Sequence, residues 1–63
     1  MLIYYKVDRT ADKEKYIISL YYRGLFGQLK EMHRSVHGEV RELNKVVSYY
    51  KSNGYHVQSI ATA

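Results

Sequence analysis

The apolar residues of this chain change period near Gly24, and that change narrows the architectures open to it. Before it, Leu2 to Val7 and Tyr16 to Tyr22 are short runs rich in Ile, Val and Tyr, the β-branched and aromatic residues that suit a pleated sheet. After it, Leu25, Leu29, Met32, Val36, Val40, Leu43, Val47 and Tyr50 recur every third or fourth residue, which is the spacing of a helical stripe.

The polar segment Asp8 to Lys15 reads as a hairpin connection between two strands, about 2–8 and 16–22. Gly24-Leu25-Phe26-Gly27 suits a tight turn, and one long amphipathic helix is expected over about 25–52. Gly38 inside it would cost ~1 kcal/mol relative to alanine, yet Val36 to Val40 keeps phase across it. Ser52-Asn53-Gly54 supplies residues that end helices, and Tyr55 to Ile60 returns as a third strand. The expected fold is a small α+β domain of ββαβ order. A right-handed crossover would place the last strand beside the first and parallel to the second, giving sheet order 2-1-3.

Sixty-three residues, 46% of them apolar and 25% charged, make one folded domain over 1–63 with no second one. So short a chain buries a small core and needs help. Disulfides are excluded by the absence of cysteine, and three histidines without cysteine make a poor structural zinc site, which leaves oligomerisation. About 26 helical residues span ~39 Å against ~20 Å for the strands. Its surplus apolar face, Val40, Leu43, Val47 and Tyr50, is therefore expected to meet a second copy or a partner. Met1 to Tyr5 is followed at once by Lys6 and Asp8, too short an apolar run for an export signal or membrane span, so a cytoplasmic protein is expected.

Ten basic residues against six acidic give a net charge of +4, which permits anionic partners without requiring them. Projected on the helix, Lys30, Arg34, His37, Arg41 and Lys45 form one cationic stripe, with His33 beside it. Such a line could meet an acidic protein surface or track phosphates; the plainer reading is a solvated face. Eight tyrosines include the pairs Tyr4-Tyr5, Tyr21-Tyr22 and Tyr49-Tyr50. Neighbouring strand residues point to opposite faces, so in each of the first two pairs one ring joins the core while the other lies on the outer face. Tyr4, Tyr5, Tyr21 and Tyr22 are thus the candidate aromatic contacts, for a protein interface or for unpaired bases.

His33 and His37 stand four apart, a weak metal signal inside a cationic stripe, and no nucleophile motif or phosphate loop is present. The expectation is a non-enzymatic protein-binding regulator or inhibitor acting as a homodimer. It would use no metal, cofactor, small-molecule substrate or membrane. The alternative is a nucleic-acid-binding protein with the cationic stripe on phosphates.

Overall fold

The computed structural model describes residues 1–60, so the last three positions of the expected 1–63 domain lie outside the described residues. Four strands and one helix follow in the order β1 (Leu2–Arg9), β2 (Tyr16–Arg23), β3 (Leu29–His37), α1 (Val40–Ser52) and β4 (His56–Ser59). They form a small α+β domain with a mixed sheet in the order β3-β2-β1-β4.

The first two strands pair antiparallel as the sequence predicts, with Tyr5 opposite Leu20 and Val7 opposite Ile18. Their connection is fixed locally: the Thr10 hydroxyl donates to Asp12 at 2.5 Å, the Glu14 N–H donates to the same carboxylate, and Lys13 adopts a φ of 61°. Those two hydrogen bonds, the threonine's first, hold the Asp12 carboxyl below the usual carboxylate range.

The long helix is corrected by the structure. Residues 29–37 form β3, paired antiparallel to β2, and helix begins only at Val40. Two features hid the strand. Its sequence, Leu-Lys-Glu-Met-His-Arg-Ser-Val-His, lacks period-two alternation, because polar residues lie on both faces. A bulge also shifts its phase: Leu20 faces His33 and Tyr21 faces Glu31, leaving Met32 as the extra residue. The apparent continuity across Gly38 joins two exposed residues, Val36 at 53% and Val40 at 54%, one on a strand and one in the first turn of the helix. The open edge of β2 offers a full ladder of backbone partners, and that tertiary gain outweighs the helix-favouring composition of the segment.

The shorter helix removes the overhang. Thirteen residues span ~20 Å, less than the ~26 Å of an eight-residue strand. The crossover therefore starts from β3 rather than from the second strand. The last strand lies beside β1 as expected, but it runs parallel to β1 and so antiparallel to β2.

Helix α1 covers one face of the sheet. Ile3, Ile18 and Leu20 point into that face and Leu43 comes down from the helix, and these are the buried apolar residues; Tyr5, Tyr22, Met32, Val46, Val47, Tyr50, Tyr55 and Val57 pack around them. The helix ends as Ser52-Asn53-Gly54 predicts. The Asn53 and Gly54 N–H groups donate to the Tyr50 and Lys51 carbonyls, and Gly54 takes a φ of +91°. No helix of the described residues is long and apolar enough to cross a membrane.

Candidate functional site

Two surfaces gather the residues that could carry function, one on each face of the sheet. The outer face has no helix over it. Tyr4 and Tyr21 stand directly opposite each other there, while Tyr5 and Tyr22 turn inward against the core, as the alternation of a strand requires. Arg23 lays its guanidinium over the Tyr4 ring at 5.4 Å and donates to the Gly27 carbonyl at 2.8 Å. In the next row Lys6, Ser19 and Arg34 lie in register, then Asp8, Ile17 and Val36. Ser19 is buried although no helix covers it, because it sits between two long cationic side chains on neighbouring strands. Lys6 pairs with Asp8 at 3.4 Å and Arg34 with Glu31 at 2.8 Å. The outer face is thus aromatic and aliphatic, with its charges largely matched within it.

At one end of this face the β2–β3 turn holds two apolar side chains clear of the protein. Leu25 is 99% exposed and Phe26 91% exposed. The turn is tightly made: the Gly24 N–H donates to the Gln28 carbonyl, the Gly27 N–H to the Gly24 carbonyl, and the Phe26 N–H to the Gln28 side chain. Gly27 has a φ of +80°, which favours glycine there. The sequence predicts the tight turn, but it places Leu25 on a buried helical stripe, and the structure places it in solvent.

On the helix-covered face, strand alternation puts His33, Ser35 and His37 side by side at the sheet edge. The hydroxyl of Ser35 bridges the two imidazoles, 2.6 Å from His37 Nε2 and 3.1 Å from His33 Nε2, and His37 Nδ1 lies 3.2 Å from Glu42 Oε2. With Glu42 ionised, its carboxylate can only accept, so His37 Nδ1 carries a proton. In a neutral imidazole Nε2 then accepts from Ser35, whose oxygen accepts in turn from His33. One proton direction satisfies all four groups. Ser, His and Glu in this order resemble a nucleophile with its base, yet the Ser35 hydroxyl is engaged on both sides.

The two histidines and the helix border an open cleft of about 370 Å³ whose walls include Glu42, Lys45, Val46, Tyr49 and Tyr50. Tyr49 and Tyr50 meet edge to face at 5.4 Å, Tyr50 and Tyr55 at 5.6 Å, and His33 lies 6.0 Å from Tyr50. A second hollow of about 500 Å³ lies at the other edge of the sheet, against Lys51, Tyr55, His56 and Val57.

The cationic stripe does not exist as a stripe. Lys30, Arg34 and His37 lie on β3, with Arg34 on the outer face and Lys30 and His37 on the inner, whereas Arg41 and Lys45 lie on α1. Arg41 pairs with Glu39. A strand rises ~3.3 Å per residue and alternates faces, so groups that a helix would stack in one line are split between two surfaces. Leu43, Val47 and Tyr50, expected on an interface, are spent on the core, and only Val40 of that set is exposed. His33 and His37 are held apart by Ser35, and among the described residues no three His, Asp or Glu side chains converge as metal ligands. The His-x-Ser-x-His pattern was the legible signal of the edge cluster, had the segment been read as a strand.

Comparison with known proteins finds no matching family model, no similar curated protein and no similar solved structure.

Proposed function

We propose that this chain is a small, non-enzymatic protein-binding regulator of the cytoplasm that works as a homodimer, with the outer face of the sheet as its self-association surface. The observation that carries this reading is the uncovered face itself: Tyr4 and Tyr21 side by side, flanked by Leu2, Ile17, Leu29 and Val36, with Lys6 and Arg34 matched by Asp8 and Glu31 and Arg23 laid over the Tyr4 ring. Matched charge favours a protein surface over a polyanion, because a phosphate chain rewards unpaired cations. A single helix over a core of this size leaves the molecule marginal. A second copy on the opposite face would bury the apolar surface it lacks, and Leu25 and Phe26 would add anchors at the rim.

Sedimentation tests it. The protein at micromolar concentration should run at about 15 kDa, twice the 7.5 kDa of the chain, and the double variant Tyr4→Ser, Tyr21→Ser should run as a monomer with its helix signal retained. A monomeric parent protein overturns the reading.

One observation supports a second reading, the binding of single-stranded nucleic acid. Paired tyrosines on an open sheet beside Lys6, Arg23 and Arg34 are a base-stacking arrangement. Titration of labelled single-stranded DNA and RNA at low and high salt separates the two, since each neutralised phosphate adds about 0.7 to the log–log salt slope on single strands. Micromolar binding with a slope of about two or more would favour the nucleic-acid reading.

A further inference from the structure

The carboxylates of this chain avoid one end of the sheet. Asp8, Asp12 and Glu14 lie at the β1–β2 connection, and Glu39 and Glu42 open the helix beside it, since β3 ends with His37 paired to Tyr16. Glu31, the sixth, holds Arg34. The opposite end is formed by the β2–β3 turn, the start of β1 and the end of α1, and it carries Arg23, Lys30 and Lys51. These three make no ion pair among the described residues. The other seven basic residues share the chain with all six acidic ones, so three of the four units of net charge gather at the turn end.

From this cationic end project Leu25 and Phe26, both almost wholly exposed, with Met1, Leu2 and Leu29 exposed behind them. A convex tip of two side chains offers a folded partner little area, whereas a fluid apolar layer can close around it. Polar backbone entering such a layer must bring its partners along. Here the Gly24 and Gly27 N–H groups donate within the turn, the Phe26 N–H donates to the Gln28 side chain, and the Gly27 carbonyl accepts from Arg23. The Gln28 amide folds back against Gly24 instead of pointing outward. Arg23 and Lys30 stand one and two strand positions behind the turn, within ~7 Å of it. Surface-lying segments sink their apolar side by about 5–10 Å, which would leave both cations at the depth of the headgroups.

We infer that the β2–β3 turn is a membrane-surface anchor: Leu25 and Phe26 enter the interface of an anionic bilayer while Arg23 and Lys30 meet its lipid phosphates and Lys51 adds attraction from the flank. The expectation of no membrane contact came from the lack of a spanning run in the sequence, and surface attachment needs none. Cytoplasmic leaflets are anionic, and each Lys or Arg close to one strengthens binding about fivefold. The inference goes beyond the protein-binding reading and does not rest on it; a dimer rim and a bilayer would compete only for the two tip side chains.

Cosedimentation with vesicles tests it, using phosphatidylcholine alone and equal parts of phosphatidylcholine and phosphatidylserine. The protein should pellet with the mixed vesicles and bind the neutral ones at least about tenfold more weakly. Added salt should release it. The double variant Leu25→Ser, Phe26→Ser should bind at least about tenfold more weakly, and Lys30→Gln about fivefold, each with the melting curve of the parent at monomeric concentration. Phe26→Trp should shift its emission to the blue on the mixed vesicles.

No binding to the mixed vesicles, binding undiminished in the double variant, or an unshifted tryptophan overturns the inference and leaves the tip to a pocket on a partner protein. A tryptophan that shifts with protein concentration in the absence of lipid also overturns it, since a second copy would then own the tip. Sedimentation without vesicles keeps the two proposals apart. A monomer that binds vesicles removes only the dimer, and a dimer that ignores them removes only the anchor.

Discussion

Leu20 and Leu25 stand five positions apart and meet opposite fates, the first fully buried on the central strand β2 and the second fully exposed at a turn. Nothing about leucine distinguishes them; the ladder does, by pointing Leu20 at the helix and letting the chain leave the sheet after Arg23. Leu20→Ala should cost about 2–5 kcal/mol in urea unfolding, through lost burial and the cavity left behind. In so small a domain that is most of the stability. At protein concentrations low enough to keep the chain monomeric, Leu25→Ala and Phe26→Ser should each change it by less than about 0.5 kcal/mol, because within one chain neither side chain has contacts to lose. Comparable losses at Leu20 and Leu25 would contradict the burial described. The tyrosine pairs were legible in part at this scale: period-two alternation sends the two rings of each pair to opposite faces, and the β1–β2 register then sets Tyr4 with Tyr21 outside and Tyr5 with Tyr22 inside.

Between elements, the boundary from β3 to α1 is where local sequence and structure part. Residues 29–37 carry Lys, Glu, Met and Arg, all comfortable in a helix. Their hydrogen bonds go instead to β2, and Gly38 with Glu39 turns the chain into α1. The helix starts without a side-chain cap: Glu39 has the extended backbone of a capping residue, φ −133° and ψ 142°, but its carboxylate pairs with Arg41. Glu39→Ser should therefore raise stability by about 1 kcal/mol in a thermal melt, because a serine hydroxyl can reach the free N–H groups of the first turn. The exposed ion pair it removes is worth less than that. An unchanged or lower midpoint would show that the Arg41 contact holds the helix start.

For the whole molecule, one helix on one face of a four-stranded sheet leaves a core of Ile3, Ile18, Leu20 and Leu43 and an open face opposite. If a second copy closes that face, the melting temperature should rise with protein concentration, since a partner at a hundredfold excess over its Kd adds about 2.7 kcal/mol to the folded state. A midpoint that does not move between micromolar and millimolar protein would contradict the dimer. The α+β class, the hairpin, the Gly24–Gly27 turn, the helix end at Asn53-Gly54 and the splitting of each strand tyrosine pair between the two faces were determined by the sequence, because they depend mainly on neighbours within a few residues. That residues 29–37 are a strand, that Arg34 and His37 face opposite ways, and that His33, Ser35, His37 and Glu42 meet beside a cleft was decided by tertiary structure. A strand has no stability of its own. It forms where another strand's unpaired edge waits for it, and here that edge belongs to β2, with the bulge at Met32 setting which side chains the cleft receives.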